Sequence, residues 1–152
     1  MLDYHTHFVF AVGILTISAC LALHSFVVFV VLQSQVAFRK RFPRAAGIKL
    51  VMPSMLIPAV LLVFSTFVQI AIWAVVPWHF GYFDHFQDVI HFSGTTFTTL
   101  GTGQHVLVAS SCVLEPMEAT NGILVAGLNT AILFAILSSI ARRHAGYDDL
   151  LG

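Results

Sequence analysis

Long apolar runs separated by short polar breaks set the pattern of this chain. Three runs, residues 8–32, 50–76 and about 117–140, each reach or exceed the ~20 residues a helix needs to cross the hydrocarbon of a bilayer. The pattern predicts three membrane-spanning helices. Between the first two, residues 33–47 turn polar and basic, and FRKRFPRAAG with Pro43 and Gly47 reads as an interfacial turn. Pro53 and Pro58 fall early in the second run, where a proline removes a backbone hydrogen bond and bends the axis; neighbouring helices repair such breaks in membranes. The connection from Pro77 to Pro116 is too long and too apolar for a simple loop. Within it, Asp84-His-Phe-Gln87 has the form of a capping box, predicting a helix over 85–96. At 1.5 Å per residue that helix is about 18 Å long, enough to enter a membrane but not to cross it.

Composition places the chain in a bilayer: 58% of residues are hydrophobic and 9% charged, against roughly 25% charged in soluble domains. The first run lacks the basic flank and small-residue cleavage site of a signal peptide and is too long for one, so it is read as a mature span. The net charge of zero hides a sorted distribution. Arg39, Lys40, Arg41, Arg44 and Lys49 lie between the first two spans, and Arg142 and Arg143 follow the third. Short loops rich in Lys and Arg stay cytoplasmic, which puts the C-terminus inside and the N-terminus outside. Asp3, Asp84, Asp88, Glu115 and Glu118 then fall on the outer side, with only Asp148 and Asp149 inside. A negative outer face concentrates cations; avoidance of Lys and Arg in translocated loops explains part of the same asymmetry. Trp73, Trp78 and Tyr82 cluster where the second span emerges, as an aromatic belt does. Cys20 lies within a span and Cys112 in a connection, which argues against an intrachain disulfide.

After the half-length helix comes FTTLGTG, residues 97–103, then Gln104 and His105. Non-helical backbone at membrane depth is tolerated only where protein shields it or water fills a cavity beside it. Gly101 and Gly103 permit positive φ, so a backbone alternating in handedness would aim successive carbonyls to one side. A row of carbonyls facing an axis is a ligand set for a dehydrated cation.

Thr99-Leu100-Gly101-Thr102-Gly103 resembles the Thr-Val-Gly-Tyr-Gly filter of the tetrameric potassium-channel superfamily, and HFSGTTFTTLG before it is similar to that family's pore-helix ending. The resemblance covers about residues 50–140 and leaves the first span outside it. It implies an all-α integral membrane fold: three transmembrane helices, with a re-entrant pore helix and filter loop between the second and third, assembling as a homotetramer, since one loop cannot enclose a pore. Carried over by position, Thr99 supplies a hydroxyl and a carbonyl at the inner end of the filter, and Leu100, Gly101 and Thr102 supply carbonyls above it, with Gly103 completing the motif. Thr98, Gln104, His105, Asp84 and Asp88 would support the filter or line its mouth. The family's tyrosine and aspartate are Thr102 and Gln104 here; a threonine cannot brace the filter as the tyrosine does, which implies weak potassium-over-sodium selectivity. Resemblance to the small bacterial members implies the inner membrane.

The chain divides into a first span with its basic linker (1–49), a pore unit (50–143) and a short cytoplasmic tail (144–152). In the third span Gly122 and Gly127 are candidate gate hinges or sites of close helix packing, and Asn129 either lines the inner cavity or bonds to a neighbouring helix. His79, His85, His91 and His105 lie in the outer connection, where histidine confers pH response. None has a zinc-like spacing with a cysteine or carboxylate, and His24 in the first span reads as hydrogen-bonded to a neighbour. Nucleophile–base pairs, phosphate loops and extended basic surfaces are missing from the sequence, so no enzyme, cofactor or nucleic-acid function is expected. Two functions remain: a tetrameric cation channel passing potassium, with some sodium, by passive flow; or a non-conducting subunit of the same fold that assembles with other membrane proteins, which the altered filter and extra first span would suit.

Overall fold

A computed structural model describes residues 2–41, 48–101 and 112–148. Every element among them is helical: α1 (Leu2–Arg41), α2 (Ile48–His79), α3 (Phe86–Phe97) and α4 (Leu114–Asp148). Three helices are long and apolar enough to cross a membrane, over Thr6–Phe38, Met52–His79 and Leu114–Arg142. Each contains its predicted apolar run and outlasts it. Nothing in the polar residues 33–41 breaks a helix, so α1 continues through most of the stretch read as an interfacial turn; residues 42–47 lie outside the described residues. Pro53, Pro58 and Pro77 all sit inside α2.

The helix directions follow from cross-helix contacts. Gln35 Nε2 donates to the Ser54 carbonyl at 3.0 Å, while Gln69 Nε2 lies 3.5 Å from His24 Nδ1, so α1 and α2 are antiparallel. Gly13 faces Met117 and Cys20 lies beside Asn121, so α1 and α4 run in the same sense. The C-terminal end of α1, the start of α2 and the end of α4, which carry the Lys and Arg residues among those described, therefore lie at one end of the bundle. The inward stripe of α1 (Val9, Gly13, Thr16, Cys20, His24, Val31 and Gln35) recurs every three or four residues or a multiple, as one face of a helix must. Outward positions such as Leu15, Phe64 and Phe134, each about two-thirds or more exposed, form the kind of apolar surface a membrane helix presents to lipid or to neighbouring helices.

Helix α3 lies at the opposite end from the basic residues, wedged between α2 and α4. Its apolar face buries Val89, Phe92 and Phe97, and the two phenylalanines join Ile70 and Trp73 of α2 with Met117 and Val125 of α4 in the core. The capping box read at Asp84–Gln87 is not formed. His85 is the N-cap, extended at φ −125° and ψ 135° with no side-chain cap bond, and α3 starts at Phe86. Aromatic packing accompanies this start: Trp78 meets Phe86 edge-on at 5.6 Å and Phe83 packs on Phe92 at 5.3 Å. The first turn of α3 still carries an acid, Asp88, which suits the positive end of the helix dipole.

Candidate functional site

The end of α3 is closed by a turn that orients its backbone. Leu100 N–H donates to the Thr95 carbonyl at 2.8 Å and Thr99 N–H to the Thr96 carbonyl at 2.9 Å. That pair of bonds is a Schellman cap with Thr99 in the left-handed position, at φ 59°. Helix α2 ends the same way: Tyr82 N–H reaches the Pro77 carbonyl, Gly81 N–H reaches Trp78, and Gly81 has φ 71°. The two caps differ in residue type. Gly81 is free to take positive φ, whereas a β-branched residue there is a true outlier.

The α3 turn also runs one residue further than the α2 cap. Gly101 N–H shares the Thr95 carbonyl at 3.2 Å, and Gly101 itself has φ 63°. Left-handed residues at 99 and 101 thus flank Leu100, whose φ is not positive. Three successive N–H groups, of Thr99, Leu100 and Gly101, point back at the helix end. A trans peptide holds its C=O opposite its N–H, and none here is cis. The carbonyls of Thr98, Thr99 and Leu100 are therefore directed away from α3, off the end where its dipole is negative. The Thr99 hydroxyl donates to the Thr98 carbonyl at 2.6 Å. Thr98, Thr99, Leu100 and Gly101 are all exposed, Leu100 by 79%. Of the two glycines expected to take positive φ, Gly101 does so, while the left-handed Thr99 was not anticipated; Thr102, Gly103, Gln104 and His105 lie outside the described residues.

No protein-family model, curated protein or solved structure matches the chain. The site must be judged on its own geometry.

The remaining predicted residues scatter around this turn. Asp84 and Asp88 are exposed at the start of α3, about one helix length from the carbonyls. Glu118, read as part of the acidic outer face, is instead 2% exposed. The first turns of α4 are covered by α1 and α3, which bury a carboxylate that the span boundary had placed at the surface. Gly122 is a contact point: a Cβ there would collide with the Phe97 carbonyl oxygen. Gly127 is exposed, with nothing within 4 Å of a Cβ built on it. Asn129 Nδ2 donates to Thr66 Oγ1 of α2 at 3.4 Å, the interhelical alternative of the two readings. Among the described residues no three His, Cys, Asp or Glu side chains are grouped to hold a metal, and neither cysteine is in a disulfide.

His24 reads from the sequence as hydrogen-bonded to a neighbour, and Gln69 is that neighbour; sequence reasoning missed the rest of a polar interior. Ser93, Glu118, Asn121, His24 and Gln69 are each 2% exposed or less. Gln69 Nε2 lies 3.3 Å from Ser65 Oγ and 3.5 Å from His24 Nδ1, tying α2 to α1. Polar residues deep in a span usually face other helices, and the spacing of Ser65, Gln69 and Trp73 along one face of α2 was the available signal.

Proposed function

We propose that the chain is one subunit of a homotetrameric cation channel in which α3 is a re-entrant pore helix and residues 99–103 form the filter. The permeant ions are potassium and, through a filter that Thr102 braces poorly, sodium. The observation that carries this reading is the outward set of Thr98, Thr99 and Leu100 carbonyls at the negative end of a half-length helix. Carbonyl rings of this kind replace a cation's hydration shell, and four copies around an axis would complete them. The presence of a β-branched residue, Thr99, at a left-handed position supports the same reading. Backbone strain of order 1–3 kcal/mol persists where a site makes use of it, and a threonine at position 99 adds a hydroxyl to the carbonyls. The acidic residues at the start of α3 would draw cations toward the mouth.

Liposomes reconstituted with the protein test this directly. Wild-type protein should carry potassium flux above that of empty liposomes and run as a tetramer by native mass spectrometry. Gly101→Ala should abolish or greatly reduce that flux while leaving the tetramer intact. A Cβ at 101 meets nothing within 4 Å, so its cost is the 1–2 kcal/mol of left-handed backbone alone. Wild-type liposomes no leakier than empty ones, across pH and voltage, would overturn the channel reading and leave the non-conducting subunit in its place.

A further inference from the structure

Two residues of α4 and two of α3 meet as a pair of matched rungs. Glu118 lies beside Ser93, and Gly122 receives the Phe97 carbonyl. Both pairs are spaced by four, 118 to 122 and 93 to 97, so each sits on one face of its helix. The residue numbers rise together, which means the two helices run in the same sense at this contact. Ser93, Glu118 and Asn121 are all essentially unexposed. Ser93 Oγ, Glu118 Oε1 and both amide atoms of Asn121 complete no hydrogen bond among the described residues. Asn121, three residues on from Glu118, turns to the neighbouring face and lies beside Cys20 of α1.

We propose that Glu118, Asn121 and Gly122 form a seat that fixes the depth and tilt of α3, and that through it they determine ion selectivity as positioning residues of the filter. This rests on the channel reading above. Gly122 sets the distance: only a residue without a Cβ lets the Phe97 carbonyl reach the α4 backbone. Phe97 immediately precedes Thr98, whose carbonyl is the first of the three directed off the helix end. A displacement of the Phe97 peptide is therefore passed to the ligand set through one residue. Glu118 sets the register from the turn above, because its carboxyl has Ser93 as its counterpart on α3 and a buried carboxyl is costly anywhere else in the bilayer. Asn121 packs the same stretch of α4 beside Cys20 of α1. The first span thereby becomes the outer wall of the seat, closing over polar groups that lipid could not solvate.

Amide hydrogen exchange on the full-length protein, read over residues 94–101, reports the seat without reference to conduction. The N–H groups of Thr98 to Gly101 are held by carbonyls of the last α3 turn, so they exchange slowly only while that turn is fixed. Gly122→Ala should speed their exchange at least tenfold. Glu118→Gln and Ser93→Ala should each speed it severalfold, the double variant no more than the stronger single one. These two variants carry the test if Gly122→Ala yields no folded protein. In conducting liposomes Glu118→Gln should also change the potassium-to-sodium permeability ratio at least twofold with tetramer yield unchanged. Exchange in all three variants within twofold of wild type would overturn the proposal, as would additive effects in the double variant or an unchanged permeability ratio. Wild-type protein that passes no cation would instead remove the channel reading, while the exchange measurements would still decide whether the seat exists.

Discussion

Thr99 holds a backbone position that the same chain fills with Gly81 at the end of α2. The two positions have the same pair of cap bonds and similar φ, 59° and 71°, so at the position itself the side chain is the main difference. A left-handed conformation costs an L-residue roughly 1–2 kcal/mol, partly offset because glycine has more freedom to lose on folding. Thr99→Gly should therefore stabilise the end of α3 by about 0.5–1 kcal/mol, seen as a rise of about 2–4 °C or less in melting temperature for a chain of this size. If the proposed channel conducts, the same variant should lower or disorder cation flux, because it deletes the hydroxyl and loosens the carbonyls. Stability and flux would move in opposite directions. A lowered melting temperature would show instead that threonine holds the turn through its own contacts, the Thr98 carbonyl bond included.

Between elements, the chain uses glycine in two different ways. Gly13 of α1 and Gly122 of α4 both leave too little room for a Cβ, the first against Met117 at 2.6 Å and the second against the Phe97 backbone. What decides the consequence is the identity of the atom in the way. At Gly13 it is the terminal methyl of Met117, with the sulfur at 2.7 Å, and an unbranched thioether repacks readily. At Gly122 it is the Phe97 backbone, which can move only if α3 moves. Gly13→Ala should thus cost under about 1 kcal/mol, below the 1–3 kcal/mol typical of overpacking. Thermal unfolding in detergent should place it within about 2–4 °C of wild type. A loss as large as that of Gly122→Ala would mean that α1 and α4 cannot adjust at this contact. The polar bonds between helices are weaker guides, since interhelical hydrogen bonds in membranes average near 0.6 kcal/mol, and the Gln69–His24 and Asn129–Thr66 pairs are long at 3.5 and 3.4 Å.

At the scale of the whole molecule, the three spans were legible because each must present enough apolar length to cross a bilayer, and length survives in the sequence without any knowledge of packing. The half-length α3 was legible for the complementary reason, and its range was misjudged by a single residue at each end. Its cap was misassigned to Asp84 because His85 takes the N-cap while Phe83 and Phe86 pack on neighbouring rings, contacts that depend on tertiary structure. Burial of Glu118 was hidden for a similar reason: position relative to a span boundary does not reveal which helices cover it. Orientation is the property the basic residues bear on most directly. Antiparallel α1 and α2, with α4 parallel to α1, bring Lys40, Arg41 and Arg142 to one end of the bundle and α3 to the other. The positive-inside rule predicts a cytoplasmic side for such a cluster, and the proposed pore loop, entering from the outside, would need the same arrangement. A membrane-impermeant maleimide should therefore label the exposed Cys112 in intact cells. In a Cys112→Ser background, Arg142→Cys should label only after the cells are opened. Cys20 is fully buried and should stay silent in both cases. Labelling of position 142 in intact cells would reverse the orientation. The carbonyls at the end of α3 would then enter from the cytoplasmic side, and the channel reading would lose the outward-facing mouth on which its acidic residues depend.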